Sequence, residues 1–348
     1  MLAELAVLNK VQSMTLGHII QTMFESKALR GNRLGDPHVR PLSVYLPPDY
    51  DQDPARRYPV ILMLASHGNT AQSLLNWKAW GESLDQQVDR LITSGACPPH
   101  IMIIPDTWTR LGGSLHLNSP AIGNYADYLL DELVPFVDAT YRTLADGSHR
   151  GIMGRSSGGY GAIYHAMTRP GMFNAVADHS GDSYFEYMAL PQIAQLHMNL
   201  ARYGGLDGFM EDTKLNTPKN QAFYDTISIV TWAATFATNP DAPHGFDLPI
   251  DLQTGALRED VWQRCLQFDP VRLVTQPAHA EALRNVKELF IDCGQFDEYN
   301  LQVGARLLSQ QLQNLSVSHT YQEYPGGHRG THYRYDVSLP RLVHALVD

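Results

Sequence analysis

Cysteine is scarce in this chain, and the few cysteines are not arranged in pairs. Cys97, Cys265 and Cys293 are the only three in 348 residues, and they lie far apart. An odd number without a CxxC spacing argues against a disulfide framework, so the sequence predicts a protein of the reducing cytoplasm. Cys293 lies within an apolar run, where we expect a small buried side chain rather than a reactive thiol.

Basic patches and long apolar runs are also missing. Lys and Arg number 26 against 36 Asp and Glu, a net charge of −10, and Arg56-Arg57 is the densest basic spot. Nucleic acids and anionic membrane surfaces bind basic patches, so neither is expected as a partner. No stretch approaches the roughly 18 apolar residues of a membrane span, and the start lacks the basic and apolar segments of a signal peptide.

Motifs for metals and cofactors are absent as well. No group of His, Cys, Asp and Glu has metal-ligand spacing, and the pair His328 and His332 lacks the helical glutamate of a zinc-protease motif. There is no dinucleotide-binding glycine fingerprint either. We therefore expect neither a cofactor nor a metal.

What is present is a succession of short apolar runs that alternate with longer helical stretches. With 44% hydrophobic residues the chain has ample material for a core. The alternation predicts an α/β protein with a mostly parallel sheet flanked by helices. The predicted strands are 60–64, 101–104, 151–153, 175–177, 288–291 and 318–321, and the predicted helices are 125–141, 160–168 and 301–312.

The pattern is interrupted between about Tyr184 and Trp262. This stretch is rich in Met, Leu and aromatic residues and contains a segment rich in Pro and Asp, 239–244, but no convincing strand. We predict a core of residues 1–183 and 263–348 and a mainly helical insertion, 184–262, that lies over the sheet edge as a lid. A decorative or oligomer-forming insertion is the alternative. Residues 1–16 could form a helix that docks on a second subunit, so a homo-oligomer stays open.

The strongest chemical signal is Gly154-Arg155-Ser156-Ser157-Gly158. It stands between a predicted strand and a predicted helix, as a nucleophile elbow requires, and the flanking glycines let strand and helix approach closely. The pattern alone occurs by chance, and a glycine-rich turn without chemistry is the alternative. A phosphate loop would end in Lys-Ser or Lys-Thr, which this turn lacks. The sequence thus predicts Ser156 as a nucleophile.

A serine hydroxyl needs a base, and an acid must orient that base. Among 15 histidines, His328 is distinguished by the turn Pro325-Gly326-Gly327-His328 after the last predicted strand, with His332 as the rival. In enzymes with a nucleophile elbow, the acid lies between the serine and the histidine in the sequence. Asp297, in the loop after the preceding strand, is our choice, with Glu298 and Asp182 as alternatives.

The tetrahedral intermediate of acyl transfer needs N–H donors for its oxyanion. Ser157, the residue after the nucleophile, offers one through its backbone. The loop His67-Gly68-Asn69-Thr70 after the first predicted strand offers a second, and we predict the N–H of Asn69. His67 is expected to brace this loop rather than to react.

With these residues in place, the chain resembles the esterase family that includes esterase D (S-formylglutathione hydrolase), enterochelin, feruloyl and acetylxylan esterases and the mycolyltransferases. The resemblance covers most of residues 17–183 and 263–348. It is carried by the blocks 25–32, 44–50, 57–60, 67–68, 132–138, 141–143, 154–162, 268–270, 294–297 and 326–328. It implies an α/β-hydrolase fold and a triad of Ser156, Asp297 and His328.

Two departures from this family concern the substrate. Many relatives have a tryptophan soon after the catalytic histidine, whereas 329–333 here reads Arg-Gly-Thr-His-Tyr, and about 140 residues separate Ser156 from Asp297. The expected activity is hydrolysis of a small-molecule carboxylic ester through an acyl-serine. Acyl transfer to an alcohol or sugar on the same triad stays open, and so does a non-catalytic binding protein that uses the insertion.

Overall fold

The computed structural model describes residues 16–347. The helix that we considered for residues 1–16 therefore falls, apart from its last residue, outside the described residues. Within them, the strands in chain order are β1 His18–Glu25, β2 Val39–Leu46, β3 Val60–Leu64, β4 Ile101–Pro105, β5 Asn118–Ser119, β6 Gly123–Asn124, β7 Arg150–Arg155, β8 Ala175–His179, β9 Glu288–Gly294 and β10 Thr320–Tyr324. Eight of them form a central sheet with the order β1-β2-β4-β3-β7-β8-β9-β10, and β5 with β6 forms a small hairpin. The strands β3, β4, β7, β8, β9 and β10 are parallel, while β1 and β2 add an antiparallel edge.

The sheet is covered by helices on both faces because its inner strands are apolar on both sides. In β3, Val60, Leu62 and Leu64 belong to one buried cluster and Ile61 and Met63 to the other. A central parallel strand buries both faces in this way. The helices are α1 Ala71–Leu75, α2 Leu84–Thr93, α3 Tyr125–Asp127, α4 Val134–Thr140, α5 Ser157–Thr168, α6 Phe185–Met188, α7 Leu190–Ala201, α8 Leu206–Asp212, α9 Gln221–Phe236, α10 Glu259–Leu266, α11 Pro270–Leu273, α12 Pro277–Arg284, α13 Leu301–Asn314 and α14 Tyr335–Val347. A π-helical turn, Tyr128–Leu133, joins α3 to α4.

Two features of the sheet differ from the sequence prediction. The strands β1 and β2 were not predicted. β1 is half-exposed and mixes apolar with polar residues such as Gln21 and Thr22, whereas β2 is mostly buried. The last strand begins at Thr320 rather than at residue 318, since the N–H of Val317 still closes the end of α13 on the carbonyl of Leu312 at 2.9 Å.

The stretch 184–262 contains helices α6 to α9, the first residues of α10 and loops, and it adds no strand to the sheet. Its first residues are tied to the core by Asp269, whose carboxylate accepts the N–H groups of Tyr184 at 3.0 Å and Phe185 at 2.9 Å. Helix α9 is buried along most of its length, and its Trp232 stacks on Trp262 at 5.7 Å. In residues 16–347, no helix has both the length and the apolar character needed to cross a membrane.

Candidate active site

Ser156 lies in a sharp turn between β7 and helix α5. Its backbone has φ 58° and ψ −128°, a conformation that few non-glycine residues adopt. The glycines on either side are required by close approach: a Cβ on Gly158 would lie 2.4 Å from the carbonyl oxygen of Leu64 in β3, and one on Gly154 would lie 2.5 Å from the carbonyl carbon of Gly158. The turn thus brings strand and helix together and leaves Ser156 half-buried at the edge of a cavity.

His328 and Asp297 form a buried pair at the same edge of the sheet. Asp297 follows β9 and His328 follows β10, and the carboxyl ends of these parallel strands meet beside the elbow. His328 Nδ1 lies 2.7 Å from Asp297 Oδ2, and the two side chains are 8% and 0% exposed. The other carboxylate oxygen, Oδ1, accepts the N–H of Tyr299 at 2.9 Å. Asp297 is therefore fixed from both sides.

Ser156 and His328 line one cavity of about 320 Å³. Among the described residues no hydrogen bond joins Ser156 Oγ to the imidazole. Catalytic hydrogen bonds are often long before a substrate is bound and tighten in the complex. The cavity is walled on its apolar side by Leu115, Met188, Ile229, Trp232 and Leu301.

Two residues hold the backbone of His328: Glu298, which the sequence analysis named as an alternative acid, and Arg155, to which it assigned no role. Its N–H donates to Glu298 Oε2 at 2.6 Å, and its carbonyl accepts from Arg155 Nη1 at 2.5 Å. The hydrogen bond from His328 lowers the pKa of Glu298. Glu298 thus contacts the backbone of His328, whereas Asp297 contacts the ring. Arg155 occupies a variable position of the glycine–serine motif, so the motif gave no signal for its role.

Asp182 and His332, the rival acid and the rival base, lie in different surroundings. Asp182 lines the cavity together with Ser156, and burial raises its pKa to about 6, with His328 opposing and Asp297 reinforcing the shift. His332 lines a different cavity beside Lys78, and burial lowers its pKa to about 4, assisted by the charges of Lys78 and Arg155. The structure therefore brings Asp182, but not His332, into the cavity of Ser156.

The two N–H groups expected to bind the oxyanion differ in whether they already donate a hydrogen bond. Ser157 is the first residue of α5, so its N–H has no acceptor inside the helix. The N–H of Asn69, in contrast, donates to the carbonyl of Ser66 at 3.0 Å and is engaged in a turn. Asn69 does line the cavity, but in this conformation its N–H is not free to receive an oxyanion.

His67 connects the loop after β3 to its surroundings. Its N–H donates to Ser157 Oγ at 2.8 Å, and its ring Nε2 lies 2.9 Å from the carbonyl oxygen of Leu111 and 3.2 Å from Thr231 Oγ1. Burial lowers the pKa of the ring. His67 therefore links the elbow to helix α9 of the insertion.

A second set of serine, histidine and aspartate exists elsewhere in the molecule. His179 Nδ1 lies 2.6 Å from Asp292 Oδ1, and His179 Nε2 lies 2.8 Å from Ser338 Oγ. All three residues are at most 2% exposed, and Arg334 Nε donates to the other oxygen of Asp292 at 2.7 Å. Neither His179 nor Ser338 borders the cavity of Ser156, so this set joins strands and helix α14 as part of the core.

A larger cleft of about 910 Å³ adjoins the cavity of Ser156. The two share His67, Gln192, Ser228, Tyr299 and Arg329. Most of the outer wall comes from residues 213–228 of the insertion. The large apolar residues of the insertion have mixed roles: Met188 and Trp232 reach the cavity of Ser156, whereas Phe236 packs on Tyr160 at 5.4 Å. Residues 16–347 contain no group of three or more His, Cys, Asp and Glu side chains arranged to hold a metal.

Comparison with known proteins identifies relatives of this arrangement. Residues 37–341 match the model of the family described as Putative esterase. Over 142 residues the chain is 32% identical to Esterase Rv1288 of Mycobacterium tuberculosis, a match that spans 40% of this chain and only 28% of that protein. Over 145 residues it is 28% identical to an endo-1,4-beta-xylanase/feruloyl esterase of Xylanibacter ruminicola, covering 41% of this chain and 19% of that protein.

Solved structures resemble almost the whole chain. A ferulic acid esterase is similar with a TM-score of 0.61 and 20% identity, covering 95% of this chain and 99% of the other. An S-formylglutathione hydrolase from Agrobacterium tumefaciens gives a TM-score of 0.57 and 16% identity, covering 95% and 96%. At this identity the likeness concerns the fold. The predicted α/β-hydrolase fold, with its mostly parallel sheet flanked by helices, is confirmed.

Proposed function

The chain belongs to the Putative esterase family, and from this premise we propose that it is a serine hydrolase of small-molecule carboxylic esters. The family match confirms the resemblance that the sequence analysis reported and the expected enzyme class, an esterase. Our proposal adds the residues and the mechanism: Ser156 as nucleophile, His328 as base and then acid, and Asp297 as the group that orients His328.

One observation carries the proposal. The strained serine of the elbow and the buried pair of His328 and Asp297, 2.7 Å apart, border one cavity. The buried set of Ser338, His179 and Asp292 has the same residue types without such a cavity. Access to a substrate-sized space therefore supports Ser156, rather than Ser338, as the reacting serine.

In the proposed reaction, Ser156 Oγ attacks the ester carbonyl while His328 Nε2 takes the hydroxyl proton. Asp297 keeps the proton of the imidazole on Nδ1 and stabilises the imidazolium. The imidazolium then protonates the leaving alcohol oxygen as the bond between this oxygen and the acyl carbon breaks. A water molecule, activated by His328, attacks the acyl-serine and releases the carboxylic acid, which restores the free enzyme.

The N–H of Ser157 is our proposed first oxyanion donor, because it stands free at the start of helix α5. The N–H of Asn69 can serve as the second donor only after the turn that binds it to Ser66 opens. We therefore propose that substrate binding rearranges the loop 66–70. The helix-end donor, in contrast, is preorganised and needs no such change.

The test is labelling with a fluorophosphonate, which reacts with activated serines, followed by peptide mass mapping. We expect one adduct on Ser156 in the wild type and none in Ser156→Ala. Hydrolysis of nitrophenyl esters of graded acyl length should fall by about 10⁶-fold in Ser156→Ala and in His328→Ala. Ser338→Ala is the matched control, since its hydroxyl belongs to the buried set. Near wild-type hydrolysis by Ser156→Ala would contradict the proposal.

Hydrolysis and acyl transfer share every step up to the acyl-serine. Adding primary alcohols during the reaction separates them, because a transferase forms the new ester in preference to the acid. Formation of acid at an undiminished rate in the presence of about 1 M alcohol is the result that we expect for a hydrolase, whose deacylation site admits water.

A further inference from the structure

The larger cleft has a charge pattern that differs from the rest of the molecule. The chain as a whole carries a net charge of −10. The cleft is lined by the basic residues Arg110, Lys214, Lys219 and Arg329 and by the acidic residues Asp36 and Asp225. Basic residues thus outnumber acidic ones where the protein as a whole has the opposite balance. The lining carries both signs of charge with an excess of basic side chains, and such an excess attracts anionic ligands.

The two lysines of the cleft are already paired. Lys214 Nζ lies 2.5 Å from Glu211, and Lys219 Nζ lies 2.7 Å from Asp212. Asp36 is engaged as well, because its carboxylate accepts the backbone N–H of Arg110 at 3.1 Å. Within residues 16–347, the guanidinium groups of Arg110 and Arg329 form no salt bridge, but Arg110 is close enough to Asp36 for its charge to oppose the rise in the pKa of Asp36 that burial causes.

Arginines without a partner are unusual in this protein. Of the 20 arginines, 17 bind a carboxylate or a carbonyl through the guanidinium group. Across residues 16–347, the remaining guanidinium groups, with no such contact, belong to Arg110, Arg202 and Arg329. Two of these three line the same cleft, while Arg202 does not. Free guanidinium groups in a cleft are suited to bind carboxylate or phosphate oxygens.

The position of the cleft beside His328 indicates that the cleft faces the alcohol part of the substrate. The imidazole must hand its proton to the leaving oxygen, so the alcohol part of an ester begins beside His328 Nε2. Arg329 follows His328 directly and lines both the cavity and the cleft. Tyr299 also lines both, and its ring lies edge-on to the His328 ring at 4.9 Å. An alcohol part that passes these two residues enters the cleft.

We propose that the cleft binds the alcohol part of the ester and that this part carries an anionic group, a carboxylate or a phosphate, held by Arg110 and Arg329. The inference rests on the proposed esterase function. Exposed aromatic faces stand at the same cleft, Trp108 at 38% and Tyr224 at 54% exposure. These side chains can stack on a planar ring in the alcohol part.

The experiment compares acetyl esters of phenols whose para substituents differ in charge. The acetyl ester of 4-hydroxybenzoate is anionic, that of 4-hydroxybenzamide is its neutral counterpart, and that of 4-hydroxyphenyl phosphate carries the alternative anion. We expect the ratio of kcat/KM, anionic to neutral, to exceed about tenfold in the wild type at low salt. The ratio should fall by about fivefold in each of the single variants Arg329→Gln and Arg110→Gln, as expected for single partly exposed charge contacts.

Arg202→Gln is the matched control, because it removes an equally unpartnered arginine outside the cleft, and its ratio should equal that of the wild type. Salt should lower the wild-type ratio, since exposed charges are screened over about 10 Å at 0.1 M. The faster of the two anionic esters identifies carboxylate or phosphate as the preferred group. A wild-type ratio near one, or a double variant with the wild-type ratio, would overturn the inference while leaving the esterase function intact.

Binding without turnover provides an independent measurement. Titration calorimetry with free 4-hydroxybenzoate and 4-hydroxybenzamide reports the charge preference even if neither ester is cleaved. Preferential binding of the anion that is lost in the double variant supports the cleft assignment. Equal binding of both compounds contradicts it. Failure of both the neutral ester and the fluorophosphonate to react would instead refute the proposed function.

Discussion

Replacing Asp297 with Asn tests the acid of the site with almost no change in shape. Asp297 Oδ1 accepts the N–H of Tyr299 at 2.9 Å, while Oδ2 faces His328 Nδ1 at 2.7 Å. The amide of Asn must keep its oxygen toward Tyr299, because only that atom can accept a hydrogen bond. Its NH₂ group then points at Nδ1 and forces the imidazole proton onto Nε2. In that tautomer His328 cannot take the proton of Ser156.

The expected loss follows from the burial of the pair. Both side chains are nearly inaccessible, at 8% and 0% exposure. During the reaction His328 becomes an imidazolium, and leaving this buried charge without its carboxylate partner costs about 3 to 5 kcal/mol. About 1.4 kcal/mol corresponds to a tenfold change in rate. We therefore expect kcat to fall by roughly 10² to 10⁴-fold, with the upper value typical of a triad held in the wrong tautomer.

The assay is release of nitrophenol from a short-chain ester, together with the rate of fluorophosphonate labelling. Glu298→Gln and Asp182→Asn are the matched controls, since both remove a carboxylate charge near His328 without touching its ring hydrogen bond. Glu298 accepts the backbone N–H of His328 at 2.6 Å, and the amide oxygen of Gln can still do so. Each control should keep at least about a tenth of the wild-type kcat. If Asp297→Asn keeps as much, or if Asp182→Asn shows the larger loss, the assignment of the acid is wrong.

Three further substitutions test how the site is supported. Gly158→Ala places a methyl group 2.4 Å from a carbonyl oxygen of β3 and should lower the free energy of unfolding in urea by about 3 kcal/mol, whereas the exposed Gly81→Ala should leave it nearly unchanged. Arg155→Gln removes the contact to the carbonyl of His328 and should lower kcat by about tenfold with little change in KM; an altered KM with unchanged kcat would speak against it. Burial raises the pKa of Asp182 to about 6, so its ionisation opposes folding as pH rises through 4 to 6. Asp182→Asn should therefore raise the melting temperature at pH 7, with a gain that shrinks toward pH 4; an equal gain at both pH values would refute this sign.

The local signals in the sequence determined the elbow and the choice of base. Gly154 and Gly158 are required because strand and helix backbones touch there. Because these glycines lie close together in the sequence, a short motif is enough to recognise the turn. The order of serine, acid and histidine along the chain likewise needs no structure. Helix periodicity and apolar runs sufficed for the inner strands, whereas the half-exposed edge strand β1 gave no comparable signal.

Tertiary structure alone decided what depends on distance, burial and access. Asp292 and Asp297 lie five residues apart, yet one is tied to His179 in the core and the other to His328 at a cavity. The N–H of Asn69 is unavailable because the chain folds it onto Ser66, which no residue pattern reveals. Hydrogen bonds of this kind join residues that are far apart in the sequence. The free energy of a buried charge or hydrogen-bond donor depends on all the groups around it in space rather than on its neighbours in sequence.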